Sequence, residues 1–439
     1  MFRRLPGTWI LTSGAEGLPF LDRAVVGAQG RSCEARVRAS LRLTGSFQVP
    51  GNVQDIASSG TEGRGAAAAM SFPVPGTGLP RLLREALARD VPDVPGTGKV
   101  VVLYAPPAMR ALVLERPGPA ASAPLAERDV PAPAPAAGEL LVRVAACAVC
   151  RTDLQLCEGD LQAHRLPIVP GHQIVGTVEE LGESVTGFAR GDRVGVTWLA
   201  GSCNACDRCR EGRENLCRLA TFTGWDRDGG FAELATVRAD VAVPLPPALE
   251  DIAAAPLLCG GVIGYRSLRV SGIQPGGRLG LFGFGASARC AIQVAVSWGC
   301  EVHVCTRSAA ERDRARELGA AWAGGYDEAP PVPLDAAITF APAGDVVVTA
   351  LRAVDRGGTV AINAIHLDRV PEFPYDLLWW ERSIRSVANV TRRDAREFVA
   401  LAAGLPVRTD AEVHPLGDAN IALQRVADGT VRGAAVLVP

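Results

Sequence analysis

The chain has 439 residues, of which 48% are hydrophobic and 21% charged, a composition that suits a folded protein of two or three domains and excludes disorder throughout. Its 45 basic and 47 acidic residues leave a formal charge of −2, so there is no basic field to hold nucleic acid or an anionic membrane surface. Lys99 is the only lysine, which excludes a Schiff-base or phosphate-cradling lysine elsewhere. We therefore expect a small-molecule partner.

Residues 1–108 are rich in Gly, Ala, Pro and Arg and show no sustained period, so we expect a poorly ordered N-terminal extension. Within it, Leu82 to Arg89 would form a short helix and Lys99 to Tyr104 a strand. No secretory signal is evident at the N-terminus. The longest central apolar run, Ile252 to Tyr265, has 14 residues and is too short to cross a membrane. The expected location is the cytoplasm.

From Met109 the pattern consists of short β-branched runs between Gly and Pro turns, which predicts a β-rich, partly open barrel. The predicted strands here are Arg110 to Glu115, Leu140 to Ala145, Ile174 to Leu181, Arg193 to Val196 and Ala232 to Val237. After Gly277, strands alternate with helices, which predicts a doubly wound parallel sheet. Its predicted elements are Arg278 to Phe282, Ala288 to Trp298, Glu301 to Cys305, Ala309 to Leu318, Ala336 to Thr339 and Gly358 to Asn363, and the chain ends in a strand from Ala434 to Val438. The order indicates a β-rich domain interrupted by an inserted α/β domain.

Four cysteines lie within fifteen positions in the segment GSCNACDRCREGRENLC: Cys203, Cys206, Cys209 and Cys217. Four thiolates complete a tetrahedral zinc shell and leave no position for water or substrate, so this site would be structural. Free cysteines or disulfides are the alternative, but two successive Cys-x2-Cys steps are rare by chance. Independent zinc ribbons usually separate two such steps widely, whereas this spacing forms one compact lobe.

Three further residues are candidates for an open metal site: Cys150 in CAVCRTDLQ, His172 in VPGHQIVG and Cys259 in APLLCGG. Two thiolates and one imidazole leave a fourth position, where zinc can bind an alcohol and polarise the matching carbonyl. Each residue alone is weak evidence, since a lone cysteine or histidine is often a core residue. The sequence motifs around the three residues, taken together, make the set a specific indication of a metal site.

These motifs, in this order, resemble the zinc-dependent medium-chain alcohol dehydrogenases, and the resemblance runs from Met109 to Pro439. It implies a GroES-like β-rich catalytic domain of residues 109–263 and 388–439, with the structural zinc lobe at 203–217, and a Rossmann cofactor domain of residues 264–387. It also implies two zinc ions per chain and a homodimer or homotetramer.

By the same resemblance, Cys150, His172 and Cys259 hold the catalytic zinc. Thr152 would take the alcohol proton, and Asp153 would steady the imidazole of His172 from behind. Arg151 would reach the cofactor pyrophosphate.

Three positions depart from the family pattern. Gln173 stands where the family generally has Glu, so a transient carboxylate contact with zinc would be lost. Gln155 stands where many members have a proton-relaying His, so proton release would use water or another route. Ala434 replaces a basic residue near the C-terminus and removes one phosphate contact. We expect an altered pH dependence rather than inactivity.

The turn GFGASA follows a predicted strand and opens a predicted helix, as in dinucleotide-binding folds. Gly283 would allow the tight turn, Gly285 the close approach of pyrophosphate, and Ala288 the contact between helix and strand. After the second strand the chain reads Cys-Thr306-Arg307-Ser, without the acid that selects NAD. Arg307 is available for a 2′-phosphate, so NADP(H) is favoured over NAD(H). Alternatively, Arg307 only covers the following helix.

The stretch VTWLAGSC resembles the yeast-type enzymes, in which a Trp before the structural lobe narrows the alcohol pocket. Trp198 would form that wall, with Leu199 and Thr152 nearby, although a core role for Trp198 is equally open. Cys157 and Leu161 replace bulky Trp side chains of the yeast-type enzymes, which would widen the pocket. The resulting prediction is a primary alcohol or aldehyde substrate.

Two alternatives remain open at this point. A thiol-dependent formaldehyde dehydrogenase or a polyol dehydrogenase would share the fold and differ in pocket residues. A nucleotide-binding relative without turnover is motivated by Gln155, Gln173 and Ala434. The zinc-free quinone oxidoreductase branch is disfavoured because all three catalytic ligands are present.

Overall fold

The structure, a computed structural model, describes residues 107–439 except positions 366, 368 and 406, and before them only the backbone of four short strands. The chain divides into two units, Met1–Pro107 and Ala108–Pro439. The four short strands belong to the first unit and are Phe2–Leu5, Thr8–Leu11, Ala24–Val26 and Val101–Leu103. The last of them lies inside the predicted strand Lys99 to Tyr104. The predicted helix Leu82 to Arg89 lies outside the described residues, and poor order of residues 1–108 stays a prediction.

The β-rich part of the second unit contains a hairpin, a large sheet and a short two-stranded pair. Its strands are β1 (Ala108–Leu114), β2 (Leu125–Pro131), β3 (Glu139–Val149), β4 (Gln173–Leu181), β5 (Arg193–Val196), β6 (Leu199–Gly201), β7 (Thr221–Phe222), β8 (Leu234–Arg238) and β9 (Val243–Pro244). The chain returns to this part with β16 (Ala411–Pro415) and β17 (Ala434–Val438). The large sheet has the order β9-β5-β4-β3-β17-β16, with β8 also paired to β3.

The α/β part is a six-stranded parallel sheet. Its strands are β10 (Arg278–Phe282), β11 (Glu301–Cys305), β12 (Trp322–Gly324), β13 (Leu334–Thr339), β14 (Val354–Ile362) and β15 (Ser383–Ser386). The order β12-β11-β10-β13-β14-β15 is that of a dinucleotide-binding fold, with its switch point between β10 and β13. The predicted combination of a β-rich domain with a doubly wound parallel sheet is therefore confirmed.

The helices of the described part are α1 (Arg151–Glu158), α2 (Asp207–Arg210), α3 (Asp251–Pro256), α4 (Val262–Ser271), α5 (Ala286–Ser297), α6 (Ala309–Glu317), α7 (Gly344–Ala353), α8 (Arg392–Gly404) and α9 (Ala419–Asp428). A π-helical turn, Leu257–Gly261, joins α3 to α4. The apolar run Ile252 to Tyr265 is thus a buried, broken helix. Within the described part, every helix is too short or too polar to cross a membrane.

Several strand predictions match the structure to the residue, among them β5, β10, β11 and β17. Strand β3 extends four residues beyond the predicted Leu140 to Ala145, because residues 146–149 still pair with the flanking strands β4 and β17. Helix α5 begins at Ala286, two residues before the predicted start. Helices α7, α8 and α9 had no prediction.

Candidate active site

The start of helix α1 carries four of the predicted site residues, Cys150, Arg151, Thr152 and Asp153. The sulfur of Cys150 accepts the backbone N–H of Thr152 at 3.4 Å, and Oδ2 of Asp153 accepts the N–H of Cys150 at 2.9 Å, so these two side chains cap the helix reciprocally. Oδ1 of Asp153 accepts the Nδ1–H of His172 at 3.1 Å. Asp153, which is 3% exposed, therefore fixes both the helix start and the imidazole.

His172 follows Gly171, whose backbone conformation is rarely adopted by residues other than glycine. Gly171 has a φ of +94°, and a Cβ at this position would overlap the ring of Phe231. The N–H of Gly230 donates to the carbonyl of Gly171 at 2.8 Å and secures the turn. The imidazole of His172 is buried, with its Nε2 3.6 Å from Sγ of Cys150.

Cys259 lies in the π-helical turn between α3 and α4. Such turns insert one residue into a helix and often occur at functional sites. A Cβ on Gly261 would overlap the ring of Phe398, so the turn packs directly on α8. A Cβ on Gly260 would lie 3.7 Å from the backbone nitrogen of Ser287, in the first turn of α5. The third candidate ligand therefore adjoins the cofactor turn.

The geometry of these three residues fits a tetrahedral metal ion. One ligand atom from each of Cys150, His172 and Cys259 lies within 4.8 Å of the others. Zn–S bonds of about 2.3 Å and Zn–N bonds of about 2.0 Å place a sulfur and a nitrogen ligand about 3.5 Å apart at the tetrahedral angle. The measured distance between Sγ of Cys150 and Nε2 of His172 is 3.6 Å. This donor set leaves a fourth position open, as in catalytic zinc sites.

The electrostatics of the three residues favour a bound cation. The neighbouring thiol of Cys259, together with burial, raises the pKa of Cys150, because two adjacent sulfurs resist ionising together. Burial opposes a charge on His172, but the carboxylate of Asp153 and the sulfur of Cys150 raise the pKa of the imidazole overall. A positive charge is thus stabilised at this position, and a metal ion would supply one while the thiols ionise.

The four-cysteine lobe is an excursion between β6 and β7. Its sulfurs are 3.8 Å apart between Cys203 and Cys209, 3.5 Å between Cys206 and Cys209, and 3.5 Å between Cys203 and Cys217. Four sulfurs around one zinc ion would lie about 3.8 Å apart. The backbone N–H groups of Ala205 and Cys206 lower the pKa of Cys203 to about 6, which favours its thiolate. The lobe therefore fits a closed zinc site.

Arg392, the first residue of α8, holds the lobe against the rest of the unit. Its guanidinium donates to Glu214 at 3.1 Å, to Asn204 at 2.7 Å and to Asp240 at 3.1 Å. Glu214 is only 3% exposed, so its charge depends on this arginine. Arg392 was not predicted from the sequence.

The glycine-rich turn lies between β10 and α5. Gly283 has a φ of +91°, and a Cβ there would lie 2.8 Å from the backbone nitrogen of Ala341. A Cβ on Gly285 would meet no atom within 4 Å, so the backbone is open at the helix N-terminus where a pyrophosphate would approach. Ala288 is completely buried on the inner face of α5. The geometry of this turn is compatible with a dinucleotide, and the cofactor-binding roles of these residues stay predictions.

The residues after β11 form the predicted ribose-reading position. Arg312 donates to the carbonyls of Thr306 and Arg307 at 2.9 and 3.0 Å and so fixes the turn. The guanidinium of Arg307 has no hydrogen bond or ion pair with the described residues. The nearest acid on α6, Glu311, is held by Arg289 at 2.5 Å. Arg307 is therefore the uncompensated charge of this turn.

Two other side chains, Tyr326 and Arg151, bear on the predicted cofactor site. Burial raises the pKa of Tyr326 while the charge of Arg307 lowers it, which places Tyr326 near that arginine. Arg151 is exposed at the start of α1 and makes no ion pair within the described part of the chain.

Comparisons with known proteins agree with this geometry. The family model described as alcohol dehydrogenase GroES-like domain matches residues 136–247, and the model described as zinc-binding dehydrogenase matches residues 288–404. A probable alcohol dehydrogenase AdhA of Mycobacterium tuberculosis is 51% identical over 336 residues, which cover 75% of this chain and 97% of the relative. The chain is a zinc-dependent medium-chain alcohol dehydrogenase by family.

More distant relatives extend the same likeness. An alcohol dehydrogenase of Geobacillus stearothermophilus is 34% identical over 324 residues, covering 72% of this chain and 96% of the relative. The solved structure of a thermostable alcohol dehydrogenase from Pyrobaculum aerophilum with cobalt and zinc bound has a TM-score of 0.69 and 27% identity, and covers 76% of this chain and 100% of that chain. The family match over residues 136–247 includes Cys150, His172 and the four-cysteine lobe of this chain, whereas Cys259 lies between the two matched segments.

The departures from the dehydrogenase pattern are accommodated locally. Gln173 is 2% exposed, and its side-chain amide donates to the carbonyl of Ala148 at 3.1 Å. An ionised glutamate could not donate this bond. Ala148 pairs with Gln173 on one side and with Val436 on the other, so Gln173 and Ala434 lie on the two strands that flank β3. Two positions that are charged in the family, 173 and 434, are thus occupied by the uncharged residues Gln and Ala on the strands that flank β3.

Trp198 lies beside the site rather than in the core. Its ring centroid is 6.1 Å from that of His172, and it is absent from the hydrophobic core clusters of the described residues. Cys157 is completely buried among core side chains, and Leu161 is partly buried against them. Because Cys157 does not line a pocket, its small side chain gives no reason to expect a wide alcohol pocket.

The sequence did not single out Phe222, Trp225, His164 or Tyr326. The first three form an aromatic group with Trp198. Their only sequence signal is the TGW step that follows the lobe, and a lone aromatic residue usually indicates packing.

Proposed function

We propose that this protein is an NADP(H)-preferring alcohol dehydrogenase or aldehyde reductase that acts on primary alcohols and aldehydes. The observation that carries the proposal is the contact between two sites. Cys259 belongs to the Cys-His-Cys group, and the next residue, Gly260, lies against Ser287 in the first turn of the cofactor helix. A substrate at the open metal position would therefore face a nicotinamide held at the end of the parallel sheet.

When bound at this site, zinc would supply a Lewis acid that stabilises negative charge on the substrate oxygen. Thr152, whose side chain makes no hydrogen bond with the described residues, would hold the substrate hydroxyl and pass on its proton. Asp153 keeps the Nδ1–H of His172 engaged, so that Nε2 faces the metal position. Because Gln155 cannot ionise, the proton would leave through water.

The preference for NADP(H) is supported by the uncompensated charge of Arg307, by its neighbour Tyr326 and by the absence of an acid at Thr306. Arg151 would contact the pyrophosphate from the first turn of α1.

The direct test of the function is a spectrophotometric screen of the purified protein against aldehydes with NADPH and NADH. We expect aldehyde-dependent oxidation of NADPH. Cofactor binding without turnover of any aldehyde or alcohol would instead support a nucleotide-binding relative without catalysis. Turnover that requires an added thiol would identify a formaldehyde dehydrogenase, and turnover of polyols alone a polyol dehydrogenase.

The cofactor preference is tested by Arg307→Asp. Removing a charged contact with the 2′-phosphate and adding repulsion should lower the NADPH to NADH ratio of kcat/KM by about 10- to 100-fold. Arg352→Asp, at another exposed arginine of the α/β part, is the matched control and should leave the ratio unchanged. An unchanged ratio in Arg307→Asp would show that Arg307 does not read the phosphate.

Three earlier expectations stay predictions. The domain boundaries at 263 and 387, the homodimer or homotetramer, and the cytoplasmic location rest on the resemblance and on the metal-thiolate spacing.

A further inference from the structure

Three aromatic side chains form a continuous group, which we call the aromatic wall: Trp198, Phe222 and Trp225. The ring centroids of Trp198 are 4.8 Å from Phe222 and 5.7 Å from Trp225, and Phe222 and Trp225 are 5.6 Å apart. His164 stacks on Trp225 at 4.0 Å and ends the wall. All three aromatic residues are partly buried, and Phe222 and Trp225 pack on one side against the hydrophobic core of the β-rich part.

The wall begins at the Cys-His-Cys site. Trp198 is 6.1 Å from His172 between ring centroids. The N–H of Thr223 donates to the carbonyl of Trp198 at 2.7 Å, which brings the residues after β7 alongside those before β6. A Cβ on Gly224 would lie 2.9 Å from the backbone nitrogen of Gly171, so the loop that carries Trp225 touches the turn that presents His172.

Hydrogen bonds fix the far end of the wall. The indole Nε1–H of Trp225 donates to the carbonyl of Gln162 at 2.8 Å. Asp226 accepts the N–H of Phe222 at 2.7 Å and pairs with Nδ1 of His164 at 2.5 Å. The rings are therefore held in place before any ligand binds, which lowers the entropy lost on binding.

We propose that the aromatic wall selects planar, conjugated substrates, so that aryl alcohols and aryl aldehydes are the preferred class and Trp225 and Phe222 are specificity-determining residues. This inference rests on the proposed function. Trp198, the first residue of the wall, is 6.1 Å from the ring of the candidate ligand His172, so the ring of an aldehyde bound at the open metal position would be within reach of the wall. Offset or edge-to-face ring pairs contribute about 0.5–1.5 kcal/mol each beyond the area they bury, and a saturated ring of similar size lacks that contribution.

The reaction balances as that of the proposed enzyme. A hydride passes from NADPH to the carbonyl carbon of the aryl aldehyde, a proton adds to its oxygen, and the products are the aryl alcohol and NADP⁺. The wall takes no part in these transfers and acts on binding and orientation.

The test compares benzaldehyde with cyclohexanecarbaldehyde, which has a ring of similar size without aromatic character. With NADPH we expect kcat/KM of the unmodified protein to favour benzaldehyde by about tenfold or more, from one or more ring contacts. Trp225→Leu should lower this ratio about three- to tenfold, chiefly through KM for benzaldehyde. Phe222→Leu is a second variant with the same expected direction. Trp298→Leu, at a partly buried tryptophan packed against Tyr265 in the α/β part, is the matched control and should keep the ratio.

Equal kcat/KM values for the two aldehydes, or a ratio that both leucine variants leave unchanged, would overturn the inference while leaving the proposed function in place. Failure of the unmodified protein to turn over any aldehyde would overturn the proposed function itself, and the inference with it.

Discussion

Asp153 shows how much one side chain of this site does. Its carboxylate caps α1 through the N–H of Cys150 and orients His172 through Nδ1, with distances of 2.9 and 3.1 Å. The Cys-Arg-Thr-Asp motif predicted the pairing with His172, because a carboxylate behind a ligating imidazole is common. The capping role needed the structure, since it depends on where the helix begins.

The hydrogen-bond partner of Gln173 could not be predicted from the sequence. The motif showed only that glutamate was missing. The structure shows that the amide donates to a backbone carbonyl in a buried setting, a contact that depends on strand register. Gln173, which replaces the family's glutamate, therefore makes a hydrogen bond of its own to Ala148.

Gln173→Glu should destabilise the protein by about 1–3 kcal/mol, because an ionised carboxylate is buried and the bond to Ala148 is lost. Burial would raise the pKa of the new carboxyl above its unfolded value, so the deficit should be small near pH 4 and grow as the pH rises. Urea unfolding at several pH values measures it. Gln173→Met, which loses the bond without adding a charge, should show no such growth. A pH-independent deficit in the glutamate variant would contradict the argument.

At the scale of elements, the lobe and α8 depend on each other. Arg392 begins the helix and donates to Glu214, Asn204 and Asp240, and the side-chain amide of Asn215 donates to the carbonyl of Ala388 at 2.7 Å. Helix α8 in turn packs Phe398 against the turn of Cys259. The structural lobe is thus joined through one helix to an element of the catalytic site.

Arg392→Ala should cost up to about 3–5 kcal/mol in the free energy of unfolding, because it removes the guanidinium paired with the buried Glu214 and leaves that carboxylate only the backbone N–H of residue 392. Arg393→Ala is the neighbouring control, since Arg393 is 72% exposed and its pair with Glu397 should matter by less than about 1 kcal/mol. Denaturant unfolding compares the two. Adding Glu214→Gln to Arg392→Ala should recover part of the loss. Equal effects of the two alanine variants would refute the role of Arg392.

The elements that the sequence predicted well are the buried parallel strands. Strands β10 and β11 read as short apolar runs bounded by charge or glycine, which fixes their ends. Helices α8 and α9 went unpredicted because their apolar stripes are interrupted by small and polar residues. Their inner faces become clear only when Phe398 and Leu423 are seen buried.

At the scale of the whole molecule, the site is assembled from segments far apart in the sequence. Cys150 and His172 come from the β-rich part, and Cys259 comes from the broken helix that leads toward the α/β part. The motifs predicted this ligand set by resemblance, and the structure brings the three residues within 4.8 Å. Of the aromatic wall, the sequence predicted only Trp198, because Phe222 and Trp225 join it through the pairing of β6 with β7 across the lobe.

We expect the protein to hold two zinc ions with separate tasks, one in the four-cysteine lobe and one at Cys150, His172 and Cys259. The most direct measurement is zinc per chain together with aldehyde-dependent NADPH oxidation, for the unmodified protein, Cys150→Ser and the control Cys147→Ser, at a buried cysteine outside both sites. We expect two zinc ions and turnover in the unmodified protein and in Cys147→Ser, and one zinc ion without turnover in a folded Cys150→Ser. Two zinc ions and full activity in Cys150→Ser would contradict it.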